Sequence, residues 1–450
     1  MSWKKVKLKE VLKQYRVQHI VQDDVEYKQV TISKYDGVTY RGTKIGKEIG
    51  RKRQFIVDLK NYPYTLMLVR QGVQDGSIGI APKEVDGCIA TENMPMFSVE
   101  GIDLDYLRFL LKSPYFYDEL NKIETTGSAQ KSIHERQILE IEIPLPNIEE
   151  QKQFVKELTK LKNGGLEISS ELIHQLDLIK QLRQAFLREA MQGKLITNEE
   201  LRITNGETGQ QLLAKIKAEK AKLIAAKKLK KEKELPPITE DEIPFEIPEH
   251  WAWCRLGQIS IHITDGEHVT PQKRTEGRML LSAKNIRDGF IIYENIDYIS
   301  EEDFQKSIKR CNPKKNDILI VSVGGTIGRS TILNDDIEFA IVRSVALIKP
   351  YDFRMSKYFK FVLDSPILQK EISGRSWGTA QPCLYINQIK ELTIPLPPLY
   401  EQEQIVAKLE ELMAFCDGLE ESIKESQGYN EKLLQEVLRE ALKGEKLVKS

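Results

Sequence analysis

IPLPNIEEQ at residues 143–151 recurs as IPLPPLYEQ at 394–402, and this pair of phrases decides the architecture of the 450-residue chain. Proline cannot donate a backbone hydrogen bond, so each phrase reads as the stop of one element. The glutamates just beyond it suit the positive end of a helix that starts there. The separation is 251 residues. The same offset relates Gly127-Ser128-Ala129-Gln130 to Gly378-Thr379-Ala380-Gln381 and Leu187-Arg188-Glu189-Ala190 to Leu438-Arg439-Glu440-Ala441. One offset held over about sixty positions marks an internal duplication. Upstream it slips by a few residues: Gly76-Ser77-Ile78-Gly79 resembles Gly325-Thr326-Ile327-Gly328, and Trp3…Leu8 resembles Trp251…Leu256. The chain is one unit written twice, a mixed domain of roughly 145 residues followed by a long helix.

The mixed domains read as α+β. VDGCIATENMPMFSV and IEFAIVRSVALIKP are short β-branched runs bounded by Gly, Asp and Pro. Short helices are expected at Leu104–Lys112 and Ser356–Leu363, each before Ser-Pro, against a twisted, partly open sheet. In the long helices Phe154, Leu158, Leu161, Ile168, Leu172, Ile179, Leu182 and Phe186 follow alternating three- and four-residue spacing, with Gly165 and Gln175 filling the gaps. Ile405, Leu409, Leu412, Cys416, Leu419, Ile423, Ser426, Asn430, Leu433 and Val437 hold the same register in the second copy. Neither stripe can be buried alone, so the helices are expected to pair as an antiparallel coiled coil, relating the copies by a pseudo-two-fold axis. Gly164-Gly165 reads as a local break in the first helix. The expected division is a domain at 1–147, a helix at 148–195, a basic helix and Pro-rich connector at 196–245, a second domain at 246–397 and a second helix at 398–450.

Sixty-seven basic residues balance 67 acidic ones, so any nucleic-acid surface must come from clustering rather than net charge. Arg41 to Gln54 carries six basic residues against one acidic, and Ala214 to Glu234 nine lysines against three glutamates. The five cysteines are scattered without a C-x-x-C pair, which argues for reduced thiols and a cytoplasmic setting. MSWKKVKLKEVL has no apolar core or small-residue cleavage site, and no apolar run approaches the length of a membrane span, so neither export nor a membrane partner is expected.

The order of domain, helix, domain, helix resembles the specificity subunit of type I restriction-modification enzymes. So do IPLPPLYEQEQIVAKLE, LPPITEDEIPFEIPEHWAWCRLGQI and ITDGEHVTPQ…LLSAKNIRDG. The resemblance covers nearly the whole chain. It implies two α+β target-recognition domains, each reading one half of a bipartite sequence in double-stranded DNA. The paired helices would act as a ruler for the unread spacer. Two methyltransferase subunits, which bind S-adenosylmethionine, would dock along those helices, and motor-nuclease subunits would join them; this chain would hold no cofactor. The domains share little outside the repeated frame, so the two half-sites should differ and the target should be asymmetric. A helix from about Glu149 to Gln192 would be on the order of 65 Å long, enough to hold readers one duplex turn, about 34–36 Å, apart.

Base reading needs paired donors or acceptors on groove-entering segments, with cations on the phosphates around them. In the first domain the candidates are Arg41, Lys44, Arg51, Lys52, Arg53 and Gln54, for which a plain surface charge cluster is the alternative. Arg70, Gln71 and Gln74 flank the Gly76 turn. Glu92 and Asn93 could accept from cytosine or pair with adenine, and Lys131 could reach a phosphate. In the second domain the polar loop with Thr264, Asp265, His268, Thr270, Lys273 and Arg274 lies where the resemblance implies DNA contact; an Asx-type turn is the bland alternative. Lys284, Asn285 and Arg287 form a second group, against which stand solvated strand-end charges. Gly325 to Arg329 reads as a tight turn with Arg329 free to reach a phosphate. Arg343 and Ser344 sit at a strand position suited to a reading face, and Arg375 and Trp377 differ from the first copy where Gly378 and Gln381 do not. The lysines of 215–233 read mainly as a solvated helix face.

No catalytic signature is found. GGTIGRS lacks the lysine and spacing of a phosphate loop, LPPLY has leucine where an amino-methyltransferase needs Asn or Asp, and the six histidines show no metal-ligand spacing. Methylation and cleavage are therefore expected of partners. A coiled-coil scaffold that binds only proteins would leave the basic loops and duplicated domains without a purpose, and a self-contained nuclease or methylase lacks the motifs. The partner set of a type IIB-like enzyme stays open, as do the target bases.

Overall fold

A computed structural model describes residues 3–34, 36–50, 53–123, 132–196, 206–375 and 382–442. The chain divides into two compact units, Met1–His174 with Ile423–Ser450, and Gln175–Ser422. Each is a mixed α+β body, and each includes a stretch of both long helices.

In the first unit Lys5–Lys7 pairs antiparallel with Glu142–Pro144, placing Lys5 opposite Pro144. Beside this pair lies a four-stranded sheet in the order Leu12–Tyr15, Met96–Val99, Thr65–Leu68, Ile78–Ile80. Helices Leu104–Leu111, Pro114–Asn121 and Glu135–Leu139 close it. Their apolar sides meet the sheet in a core of Leu66, Phe97, Tyr106, Leu110, Phe116 and Ile143, all fully buried, joined by Phe154 and Leu158 from the long helix. Each such side chain contributes roughly 1.5–3 kcal/mol. The Tyr106 hydroxyl donates to the Pro144 carbonyl at 2.8 Å, satisfying its polar end inside that core. A second sheet is inserted into this frame. Its five strands run Gln18–Ile20, Arg53–Ile56, Ile89–Ala90, Glu26–Ser33, Gly37–Ile45.

The second unit repeats the frame, contact by contact. Ala252–Arg255 pairs with Thr393–Leu396, with Trp253 opposite Pro395. The four-stranded sheet runs Ser260–Asp265, Val345–Pro350, Ile318–Val321, Ser330–Ile332. Helices Ser356–Asp364, Pro366–Arg375 and Ile386–Lys390 follow in the same order. The Tyr358 hydroxyl donates to Pro395 as Tyr106 does to Pro144, and Gln402 donates to Pro397 as Gln151 does to Pro146. The insert differs. It is a three-stranded sheet, Asp297–Ile299, Arg278–Leu281, Ala340–Ile341, with helix Glu301–Arg310 and the small hairpin Ile286–Arg287/Phe290–Ile291. The single open sheet expected from sequence is thus divided in each unit into a common frame, made of a two-stranded pair and a four-stranded sheet, and a private inserted sheet. The expected turn after Val321 is present, with Gly324 and Gly328 at positive φ of 104° and 89°.

The long helices run Ile148–Met191 and Leu399–Leu442. Within the second unit Leu187, Ala190 and Met191 share a core with Ile405 and Leu409, while Arg183 reaches Asp417 at 2.6 Å. Within the first, Phe154 and Leu158 share a core with Val437, while the Asn430 amide donates to the Gly165 carbonyl and to Ser169, each at 2.9 Å. In both units the pairing is antiparallel, as the repeat requires. Two expectations are corrected. The first helix continues through Gly164-Gly165 without a break, because the Gly165 position is where Asn430 docks. The stripe is also less apolar than its spacing implies: Leu161, Ile168 and Leu433 are exposed, whereas Ile179 and Cys416 are buried.

The basic segment is not a free connector. Helix Gly209–Ala225 buries Leu212 and Ile216 in the core of the second unit, and a Cβ at Gly209 would lie 2.1 Å from the Leu396 carbonyl oxygen. Lys220 departs from the solvated reading. Its ammonium donates to the carbonyls of Gly257 at 2.8 Å and Ser260 at 2.7 Å, and burial lowers its pKa. Downstream, the fully buried Arg255 takes the carbonyls of Pro236 and Pro237 and forks onto Glu242 at 2.9 and 2.7 Å.

Candidate nucleic-acid interface

In the first unit the basic stretch lies along the inserted sheet. Arg41 and Lys44 are exposed on Gly37–Ile45, an edge strand, so cationic side chains and unpaired backbone groups lie together. Arg41 is an extra residue: the ladder pairs Gln29 with Gly42 and Val30 with Tyr40, a bulge that turns the arginine out of register. Arg53 is exposed on an inner strand opposite Ile20, whereas its neighbour Gln54 is buried against the sheet. Arg51, Lys52, Lys131 and Trp377 lie outside the described residues.

Arg70 is held within the protein. Its guanidinium grips the buried carboxylate of Glu135 with both Nε, at 3.0 Å, and a terminal nitrogen. Burial would raise the Glu135 pKa, but the bonds from Arg70 hold it below the usual carboxylate value. Gln14, at 3.3 Å, and Arg16, at 3.4 Å, complete this knot. The backbone N–H of Arg70 donates to the Asn93 carbonyl, so Asn93, exposed, borders it. Gln71 is exposed and Gln74 half-buried on the adjoining turn.

In the second unit several candidates are likewise held by the protein. Asn285 is fully buried; its amide donates to the Ile292 carbonyl and its oxygen accepts from Ser282 N–H, so it pins the small hairpin. Ser344 accepts from Ala283 N–H at 3.2 Å. Arg375 forks onto Glu371 at 3.0 and 2.8 Å and approaches Glu391 at 3.5 Å, an internal role that sequence reasoning did not see. Lys273 and Lys284 share Asp297 at 2.9 and 3.0 Å, Arg287 donates to the Lys284 and Ile286 carbonyls, and Arg329 stands 3.8 Å from Asp288. These four remain partly exposed, so their ties are of the weak surface kind. Thr270 and Arg274 are exposed on the loop before Arg278–Leu281.

Thr264, Asp265, His268 and Arg343 come together around an open cleft of about 370 Å3 at the end of the frame sheet. Arg310, Ser322, Tyr385 and Asn387 line it too, and sequence reasoning missed them. Arg310 donates to Asp265 at 2.6 Å and lies 2.6 Å from His268 Nε2. The signal for Arg310 was faint, a basic residue in the last turn of Glu301–Arg310 that reads as ordinary dipole compensation. Tyr385 and Asn387 stand four and six residues after the repeated Gly-x-Ala-Gln phrase and could have been found there. In the first unit the corresponding place is filled. Ile133 N–H donates to Arg70 as Leu384 N–H, 251 residues on, donates to Ser322, and there the recess lined by Arg16, Glu92 and Glu135 holds only about 10 Å3.

Among the described residues no group of histidine, cysteine and carboxylate side chains could hold a metal ion. Nor, among them, is any helix long and apolar enough to cross a membrane. Cys88, Cys254, Cys311 and Cys416 are buried free thiols; burial pushes Cys254 and Cys311 up to about 12.

One frame carried twice, with a private sheet and exposed cationic and amide groups on each copy, is the form of a duplicated recognition protein. The chain belongs to the type I restriction modification DNA specificity domain family, whose model matches residues 1–178 and 272–426. The EcoAI type I restriction enzyme specificity subunit of Escherichia coli is 28% identical over 376 residues, 72% of this chain and 62% of that protein. This chain thus spans a little under two thirds of the curated relatives of that group. The MjaVIII specificity subunit of Methanocaldococcus jannaschii is 24% identical over 433 residues, 89% of this chain and 90% of the other. Among solved structures, the HsdS subunit from Thermoanaerobacter tengcongensis shares the fold with a TM-score of 0.54 at 17% identity, covering 98% of this chain and 97% of that one. A chain from a type I R-M assembly reaches 0.60 at 18% identity, covering 98% of both.

Proposed function

We propose that this chain is the DNA-sequence-reading subunit of a type I restriction-modification complex and carries no catalytic centre of its own. Each unit reads one half of a bipartite, asymmetric target, and the length of the helical rods sets the unread spacer. The observation that carries this reading is the repetition of one frame with two unrelated inserts: Gly37–Ile45 edges a five-stranded sheet in one copy, and Arg278–Leu281 centres a three-stranded sheet in the other. A scaffold alone has no use for that difference; a reader of two dissimilar half-sites needs it. Family membership supports the same reading.

Partners follow from what the chain lacks. Methyl transfer falls to two methyltransferase subunits that bind S-adenosylmethionine, and translocation and cleavage to motor-nuclease subunits joined through them. Leu166 and Ile173 in the first unit, and Leu178 and Phe415 in the second, stand exposed on the long helices and supply apolar area for such docking. Duplex DNA meets the private sheets and the cleft. A cytoplasmic setting suits the free thiols.

The test is a domain exchange. Residues 1–147 are replaced by the equivalent part of a relative, and methylated adenines are mapped in a host carrying the partner subunits. One half-site should change while the other and the spacer stay fixed. Change in both halves, or in neither, overturns the reading. Binding of S-adenosylmethionine or cutting of DNA by the purified chain would overturn its non-catalytic part.

A further inference from the structure

Among the candidate cations of the second unit, Arg274 and Arg343 carry guanidinium groups with no partner among the described residues, and of these two Arg343 lines the cleft. Its main chain is over-determined. Arg343 N–H donates to the Glu267 carbonyl at 3.1 Å, the Ser322 hydroxyl donates to the Arg343 carbonyl at 3.1 Å, Ser322 N–H donates to Ser344 at 2.9 Å, and Val345 N–H closes the turn onto Val342 at 3.0 Å. The next strand, Val345–Pro350, is buried at its start. A free, charged fork on a backbone this firmly held is the arrangement expected of a group that positions itself on a ligand rather than on its own fold.

The cleft is not neutralised from within. Asp265 is the one carboxylate among its described lining residues, and it is already bonded to Arg310 and close to His268 at 3.3 Å. At the corresponding place in the first unit the half-buried Arg70 grips Glu135, and the recess that Glu135 lines holds only about 10 Å3. The second unit therefore keeps open, with a spare arginine, what the first has plugged.

Resting on the reading of the chain as a DNA-sequence reader, we propose that Arg343 is a specificity-determining residue of the second unit, its fork donating to the paired O6 and N7 acceptors of one guanine in the major groove. Arginine presents two parallel donors that match this edge, and such a pair discriminates against other bases by about 5- to 150-fold. Lysine keeps the charge and loses the fork.

Adenine methylation is mapped in a host carrying the partner subunits with the natural chain, R343K or R343Q. The natural motif should hold an invariant guanine in the half-site that survives exchange of residues 1–147. In both variants, preference for that guanine should fall about 5- to 150-fold while the other half-site stays intact. A duplex carrying 7-deazaguanine at that position should weaken binding by the natural complex and leave R343Q binding unchanged. Arg343 is exposed, so both variants should melt with the natural chain. Retention of the full motif by R343K, with methylation lowered evenly across sites in R343Q, would mean a phosphate contact and overturn the assignment. An unchanged map in both variants overturns it as well. Absence of any bipartite motif in the natural chain would defeat the functional reading itself, a distinct outcome.

Discussion

Replacing Arg255 by alanine should loosen the second unit at one definable place. The guanidinium is fully buried and engages Pro236 and Pro237, the Glu391 carbonyl at 2.8 Å, the Thr393 hydroxyl at 2.9 Å and both oxygens of Glu242. Breaking a buried pair by deleting one partner costs about 3–5 kcal/mol, because the charge left behind is uncompensated. Glu242 keeps a side-chain exposure of 30%, so water can reach it after the change, and the low end, about 3 kcal/mol, applies. For a body the size of residues 175–422 that corresponds to a fall of roughly 6–12 °C in the melting of this unit, read by calorimetry. Trypsin supplies a local check. Lys227 to Lys233 precede the anchored prolines, and their cleavage should accelerate in R255A well before the rest of the unit opens. The pH dependence has a fixed sign. Bonds from Arg255 hold the Glu242 carboxyl down at about 2, below its ordinary 4.5. The stabilisation is therefore complete above about pH 4.5 and is lost as pH falls through 2. Glu242→Gln should remove that part of the acid sensitivity. Melting of R255A within about 1 °C of the natural chain, with unchanged trypsin rates, would refute the anchoring role.

Asn430→Ala should cost about 1–2 kcal/mol in the first unit by removing the bonds to Gly165 and Ser169, measured by denaturant titration; no loss would mean that the polar contact does not hold the register. Changing Arg41 and Lys44 together to alanine should lower the slope of log affinity against log salt by up to about 2 if both reach phosphates, with sequence preference at the second half-site untouched. Gly328→Ala should destabilise the second unit by about 1–3 kcal/mol, since its φ is +89° and a Cβ would lie 2.6 Å from Gln369 Oε1; an unaltered melting curve would show that the turn can relax. Lys220→Met should unfasten helix Gly209–Ala225 at its far end and raise amide exchange there, because three carbonyls lose their donor.

The two-copy plan, the proline stops and the long helices were legible because each rests on local chemistry repeated at one offset. A proline ends its element wherever it stands, and a 3.6-residue period shows itself in one dimension. The basic strand with Arg41 and Lys44 was legible for the same reason, as a local bias of charge. The fates of individual side chains were not. Arg70 and Arg343 look alike in sequence, both beside strands and near glycine or polar turns. One is closed against Glu135, 65 residues away, and the other opens on a cleft. Lys220 sits among eight other lysines, and its burial follows from carbonyls some forty residues on.

The amino-acid sequence by itself determined the duplication, the α+β class of each copy and the antiparallel pairing of helix segments inside each unit, since propensity, periodicity and repetition act between neighbours along the chain. Only the tertiary structure decided which cations are neutralised, that each copy carries its own second sheet, and that one cleft stays open while its counterpart is plugged. Ion pairing and cavity volume depend on distances between residues far apart in the chain, and those distances are set when the core closes.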